Sequence, residues 1–195
     1  MRLTPFAAAA LCVSSVAAHA VPVTYTLSGY FSGSIGSTSF TNTQLVFSMT
    51  GDTSNVTTLP GGNYYINTVG ESTVNLDGIG TAIFTSPTFG VESQYSDFGR
   101  PDSVSFYDNY SSWAVTVLSS SFNGYNLTAP FGPITDEAAD NRLGSAPTSL
   151  GSLVILGETG DATFQATAAT PEPSSLALLG TGLLGVFGVI RKRVA

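Results

Sequence analysis

Residues 95–113, YSDFGRPDSVSFYDNYSSW, hold three tyrosines, the only tryptophan, three aspartates, one asparagine and one arginine. Exposed aromatic rings stack on sugar faces, while Asp, Asn and Arg side chains hydrogen-bond hydroxyl groups. Tyr95, Asp97, Arg100, Tyr107, Asn109, Tyr110 and Trp113 are therefore candidate glycan-binding residues. The competing expectation is that Phe106, Tyr107 and Trp113 are core and edge residues beside an Asp-rich turn, because large aromatics dominate cores.

Two further chemistries draw on the acids. Asp97 and Asp102 flank the Gly99-Arg100-Pro101 turn, and Asp136, Glu137 and Asp140 cluster further on. Calcium needs several oxygens converging on one point, and no EF-hand pattern supplies them here. Solvated turn acids are the plainer reading, so no cofactor is expected, with calcium as the alternative. Glycoside hydrolysis needs only two facing carboxylates, and Asp97 and Asp108 lie in the right neighbourhood. With twelve acids between residues 21 and 170, some pair always looks suitable, so the expectation is a chain that is not an enzyme. Ice binding would need a flat face of regularly spaced threonines. Thr24/Thr26 and Thr41/Thr43 are isolated pairs.

The start of the chain removes other chemistries. Arg2, the apolar run from Leu3 to Val13 and then Ala18-His19-Ala20 read as a secretory signal peptide over residues 1–20. Small residues at Ala18 and Ala20 place the signal-peptidase cut before Val21. Cys12 is the only cysteine and His19 the only histidine, and both leave with the signal. The mature chain then has no disulfide, no Ser-His-Asp triad, no Cys-His pair and no zinc site built on those residues.

Charge excludes more. Between residues 21 and 170 there are two cations, Arg100 and Arg142, and no lysine, against twelve acids, a balance of −10. Such a surface repels phosphate backbones, so nucleic acid is not a partner.

What must position the candidate residues is a β domain over 21–165. Val23, Tyr25 and Leu27 alternate with threonines, and 45–49 reads as a strand ending at Gly51-Asp52. Further predicted strands cover 64–69, 72–76, 81–84, 103–107, 113–118, 124–128, 152–156 and 162–167. Turn residues punctuate them, which points to one all-β sandwich or jelly roll. Residues 136–143 are expected as a loop, with one helical turn as the alternative, and 166–170 as a small-residue linker.

The last 25 residues are of another kind. Pro171-Glu172-Pro173 precedes an uncharged apolar run from Ser174 to Ile190, and Arg191-Lys192-Arg193 follow. Seventeen helical residues span about 25 Å, the short end of a transmembrane helix. The basic cluster would stay cytoplasmic, leaving the chain before Pro171 outside the inner membrane.

These three ordered elements over 171–195 resemble the PEP-CTERM sorting signal of Gram-negative bacteria. The resemblance implies recognition of Pro171, Glu172 and Pro173 by an exosortase, and a life in exopolysaccharide-rich matrix. It makes those residues substrate positions and says nothing about the rest of the chain. The opening of the β domain also resembles uncharacterised ectodomains that precede such tails. The resulting expectation is an exported, transiently anchored structural or adhesive protein of surface or biofilm matrix. A lectin-like module is the alternative and a carboxylate glycosidase the third reading.

Overall fold

Alternation of buried and exposed residues builds the strands, as it does wherever one sheet face is dry. The computed structural model describes residues 21–60, 64–94, 102–108, 111, 113–141 and 144–168. Strands make up 73% of what is described, and no α-helix occurs there. The expected signal peptide, the span 174–190 and the basic tail lie outside the described residues. No described helix is long and apolar enough to cross a membrane.

In chain order the strands are β1 (Pro22–Ile35), β2 (Thr38–Asp52), β3 (Thr57–Thr58), β4 (Tyr64–Asn67), β5 (Gly70–Leu76) and β6 (Gly80–Ile83). There follow β7 (Phe89–Gln94), β8 (Ser103–Asp108), β9 (Trp113–Leu118), β10 (Phe131–Asn141), β11 (Ala146–Thr148) and β12 (Gly151–Ala168). They join in the order β3-β4-β7-β8-β9-β10-β12-β1-β2-β5-β6, with β11 also on β12. The expected sandwich of two separate sheets is thus replaced by one antiparallel sheet curled into a half-barrel.

The curl is visible in the core. Phe47 of β2 lies 5.9 Å from Phe106 of β8 and 5.8 Å from Trp113 of β9, ring centre to ring centre. Three strands, β10, β12 and β1, separate β9 from β2 along the sheet, so only a sheet folded over on itself brings these rings together. Phe84 and Phe89 stack at 3.6 Å beside them. A second aromatic group, Phe122, Tyr125, Phe131 and Phe164, fills the other end, with Tyr125 and Phe131 at 4.4 Å.

Bulges supply the bend, since extra residues on one strand increase local twist. Between Ser28↔Thr163 and Tyr30↔Thr159, β12 advances four residues against two of β1. A second shift follows between Ser32 and Gly33, and the inward positions of β12 pass from Phe164 and Ala162 to Ile155 and Leu153. Gly33 permits that crossing: a Cβ there would overlap the Val154 carbonyl oxygen. At the bent end, Thr85 N donates to Pro147 O (3.0 Å) and Ser149 N to Ile83 O (2.8 Å), tying the β6 edge to β11.

Three expectations are corrected. Of the expected loop over 136–143, the described part is strand: Asp136 to Asn141 continue β10, paired to β12 and then to β9. Residues 124–128 are not a strand. They form a turn in which Leu127 has φ 62° and its carbonyl accepts from the Tyr25 hydroxyl at 2.6 Å. β12 runs on to Ala168, and Ala166 is buried opposite Tyr25, so the expected linker 166–170 begins as strand.

Gly33→Ala is expected to destabilise the domain by about 2–3 kcal/mol, since backbone cannot yield to the added methyl. Gly157→Ala, with open space around its Cβ, should stay within about 0.5 kcal/mol of the parent. Urea unfolding of both variants checks the pair.

Candidate functional site

The structure divides residues 95–113 between interior and surface. Tyr95, Asp97, Arg100, Asn109 and Tyr110 lie outside the described residues. Trp113 does not offer a stacking face: it is 1% exposed and packed against Phe47, Phe84 and Phe89. Its position on β9 opposite Asp108 puts it on the dry side of the sheet, so the competing core expectation holds for Trp113 and for Phe106. Its indole Nε1 has no hydrogen-bond partner, so the ring contributes area and not a polar contact.

Asp108 also faces inward. It is 1% exposed and accepts from Ser86 Oγ (2.8 Å) and Ser111 Oγ (2.9 Å), and from the Thr88 hydroxyl. A buried carboxylate satisfied by hydroxyls is a staple between loops. Ser86 and Thr88 also line a recess of about 380 Å³ with Thr85, Pro87 and Pro147, and their hydroxyls are spent on Asp108. The supposed Asp97–Asp108 pair thus has its second member committed to structure.

The later acids do not converge. Asp136 and Glu137 are consecutive in β10, where neighbours point to opposite faces, and both are exposed. Asp136 accepts from the Glu137 N–H at 2.9 Å, and its carboxyl is held below the ordinary value by Ser119 and that amide. Among the described residues no three His, Cys, Asp or Glu are grouped to hold a metal ion.

Tyr107 is the candidate that reaches a surface. Val91, Phe106 and Val115 are buried, so alternation turns Glu92, Ser105 and Thr116 to the other face of β7, β8 and β9. Ile66, Glu92, Ser105, Thr116 and Ala139 stand opposite one another in one row across β4, β7, β8, β9 and β10. Tyr64, Gln94, Ser103 and Leu118 form the row on one side, Gly90, Tyr107 and Ala114 the row on the other. Small residues pave the middle, and larger ones stand around them.

The polar groups there are unequally satisfied. Gln94 Nε2 donates to Tyr64 Oη at 2.6 Å, and Ser105 and Thr116 share a hydroxyl contact of 2.8 Å. Glu92 is half-buried, and burial raises its carboxyl above the usual glutamate value, with no donor or cation among the described residues to oppose it. The Tyr107 phenol is pushed up to about 12 by burial first, then by the charges of Glu92 and Asp108. A carboxylate desolvated without a partner is a feature of sites that await one.

Glu92, Gln94 and Tyr64 were missed in the sequence. β7 was hidden because Gly90, Glu92 and Ser93 dilute its alternation. The usable signal was a lone acid between Phe89/Val91 and Gln94, a charge in the middle of an apolar period-two run.

Comparison with known proteins concerns the other end of the chain. Residues 169–193 match the PEP-CTERM protein-sorting motif. The chain carries a PEP-CTERM sorting signal. The motif implies an exported protein that is sorted at the membrane and processed by an exosortase. No curated protein and no solved structure matches the chain. The sorting motif therefore gives the address, and the β domain has to be read from its own surface.

Trp113→Ala is expected to cost about 3–5 kcal/mol as a core truncation, measured by denaturant unfolding. Glu92→Gln should act in the opposite direction. A carboxyl raised in the folded state favours folding when protonated, and that contribution is lost as pH rises through its raised value. The variant should therefore melt a few degrees above the parent at pH 7, and the gain should vanish below about pH 4. Scanning calorimetry at both pH values decides it.

Proposed function

We propose that this chain is an exported, non-enzymatic protein, held at the inner membrane by the span 174–190 until an exosortase acts. It then serves a structural or adhesive role at the cell surface or in an exopolysaccharide matrix. The observation that carries this reading is the sorting motif over residues 169–193. The chemistry of the domain supports it. A β domain with no lysine and twelve acids suits a hydrated matrix better than nucleic acid or an anionic membrane. The signal peptidase and the exosortase are its processing partners.

A glycan-binding role is the second reading, favoured by the face that bears Tyr64, Glu92, Gln94 and Tyr107. Half-buried tyrosines beside hydrogen-bonding side chains fit a sugar better than they fit a flat protein partner. This moves the binding surface from Trp113 to Tyr107 and its neighbours on β4 and β7.

Replacing Pro171, Glu172 and Pro173 together by alanine, in cells that make the exosortase, tests the processing. The expected result is a membrane-bound chain starting at Val21 and retaining its C-terminus by mass spectrometry, while the parent is shortened. Identical processing of both forms would remove the exosortase from the account. Retention of the parent protein by isolated exopolysaccharide, compared with a bare support, tests the adhesive role.

A further inference from the structure

The face of β4, β7 and β8 has one feature that a neutral sugar site does not need. Glu92 stands on it with no hydrogen-bond donor and no cation beside it among the described residues, while Gln94 is paired with Tyr64 and Ser105 with Thr116. Elsewhere on the described domain, carboxylates find partners or stand exposed to water. Asp52 accepts from Ser54 N and Ser54 Oγ, both at 2.7 Å, and Asp108 takes three hydroxyls. Glu92 lies beside small residues, Ser105 opposite it and Ser103 and Ala114 further on, with Tyr107 diagonal to it on β8 and Tyr64 diagonal on β4. Diagonal neighbours on adjacent strands lie about 7–8 Å apart, and these two diagonals run in opposite directions, so the tyrosines stand on either side of Glu92 about 15 Å apart, the span of a short oligosaccharide.

We infer that this face is a binding site for an amine-bearing oligosaccharide, in which Glu92 takes an ammonium group and the rings of Tyr107 and Tyr64 contact sugar units on either side of it. The inference rests on the glycan-binding reading and names its ligand class. Charge favours a cationic ligand over a neutral or acidic one. The domain has twelve acids against Arg100 and Arg142, so an acidic polysaccharide meets net repulsion. A neutral sugar would leave the Glu92 charge desolvated and without a partner, which is costly. An ammonium supplies the missing donor as a charge-assisted hydrogen bond, stronger than a neutral one, and tyrosine faces attract cations as well. A cationic peptide would satisfy Glu92 but has no flat ring for the flanking tyrosines.

The experiment uses the full chain purified in detergent, titrated calorimetrically with a β-1,4-linked glucosamine hexasaccharide, its N-acetylated counterpart and hexalysine. The expected result is saturable binding of the glucosamine oligomer, at least about tenfold tighter than either of the other two ligands. Glu92→Gln should erase the preference for the free amine while its melting temperature stays at or above the parent's, which separates lost binding from lost folding. Tyr107→Phe, which keeps the ring, should bind as the parent does. Equal binding of both sugars, or a preference that survives Glu92→Gln, overturns the amine assignment but leaves a glycan site. Equal binding of hexalysine reduces the effect to surface charge and overturns it too. Failure of both sugars to bind removes the glycan reading itself.

Discussion

The pairing of β12 with β1 is the constraint on which the rest of the molecule depends. β12 is the longest strand and lies between β1 and β10, with β11 added at its start. Its register with β1 is broken twice, and each break turns the strand relative to its neighbour. Without those breaks eighteen residues would run flat, and the two wings of the sheet would point apart. With them, β2 and β5 swing over β8 and β9, and Phe47 meets Phe106 and Trp113. The aromatic core is therefore a consequence of backbone geometry at residues 28–33 and 157–162. No disulfide is available to enforce it, since the single cysteine lies at position 12.

A domain with twelve acids and two cations must settle most of its charge without salt bridges. Among the described residues it does so with hydroxyls and amides. Asp52 caps a 3₁₀ turn through Ser54, Asp136 is held by Ser119 and the Glu137 amide, and Asp108 sits under Ser86, Thr88 and Ser111. The abundance of serine and threonine thus does electrostatic work that lysine and arginine perform elsewhere. The carboxyls of Asp52 and Asp136 are lowered by these bonds, so they stabilise the fold above the ordinary aspartate pKa and lose that contribution in acid. Glu92 is shifted the opposite way. That contrast within one sheet is what separates a candidate site from the general solution to crowded acids.

Much of the fold was legible where periodicity was clean. The strands through Val23, Phe47, Val74, Phe106 and Val115 all lie within predicted runs, because alternating burial on a one-sided sheet writes itself directly into the sequence. β10 was not legible. Its outward positions near Asp136 and Glu137 are acidic on both faces, because the strand leaves the core there to cross from β12 to β9. Residues 124–128 misled for the opposite reason. They carry strand-like apolar residues, yet Leu127 is buried from a turn that closes the end of the core under Tyr25. The candidate site was half legible. Tyr107 stood out by composition, but Trp113 beside it did not reveal that it faces the other way, because the register of β9 against β8 is a tertiary fact.

The sheet also determines how the sorting signal is presented. Val23 pairs with Ala168, so the first and last described strands enter and leave at the same end of the sheet. Ala166 is 2% exposed and paired to both Tyr25 and Phe131, which holds the last strand in place. From Ala168 to Pro171 is three residues, a reach of about 10 Å at full extension. A protease acting at the Pro-Glu-Pro box of the uncut chain must therefore work close against a folded sheet end, and not on a long free linker. Fraying of Thr167 and Ala168 from Thr24 and Val23 would lengthen the accessible segment at the loss of only edge hydrogen bonds, because both residues are exposed. Ala166 cannot follow them without opening the core, and it marks the point at which access for processing begins to compete with the stability of the domain.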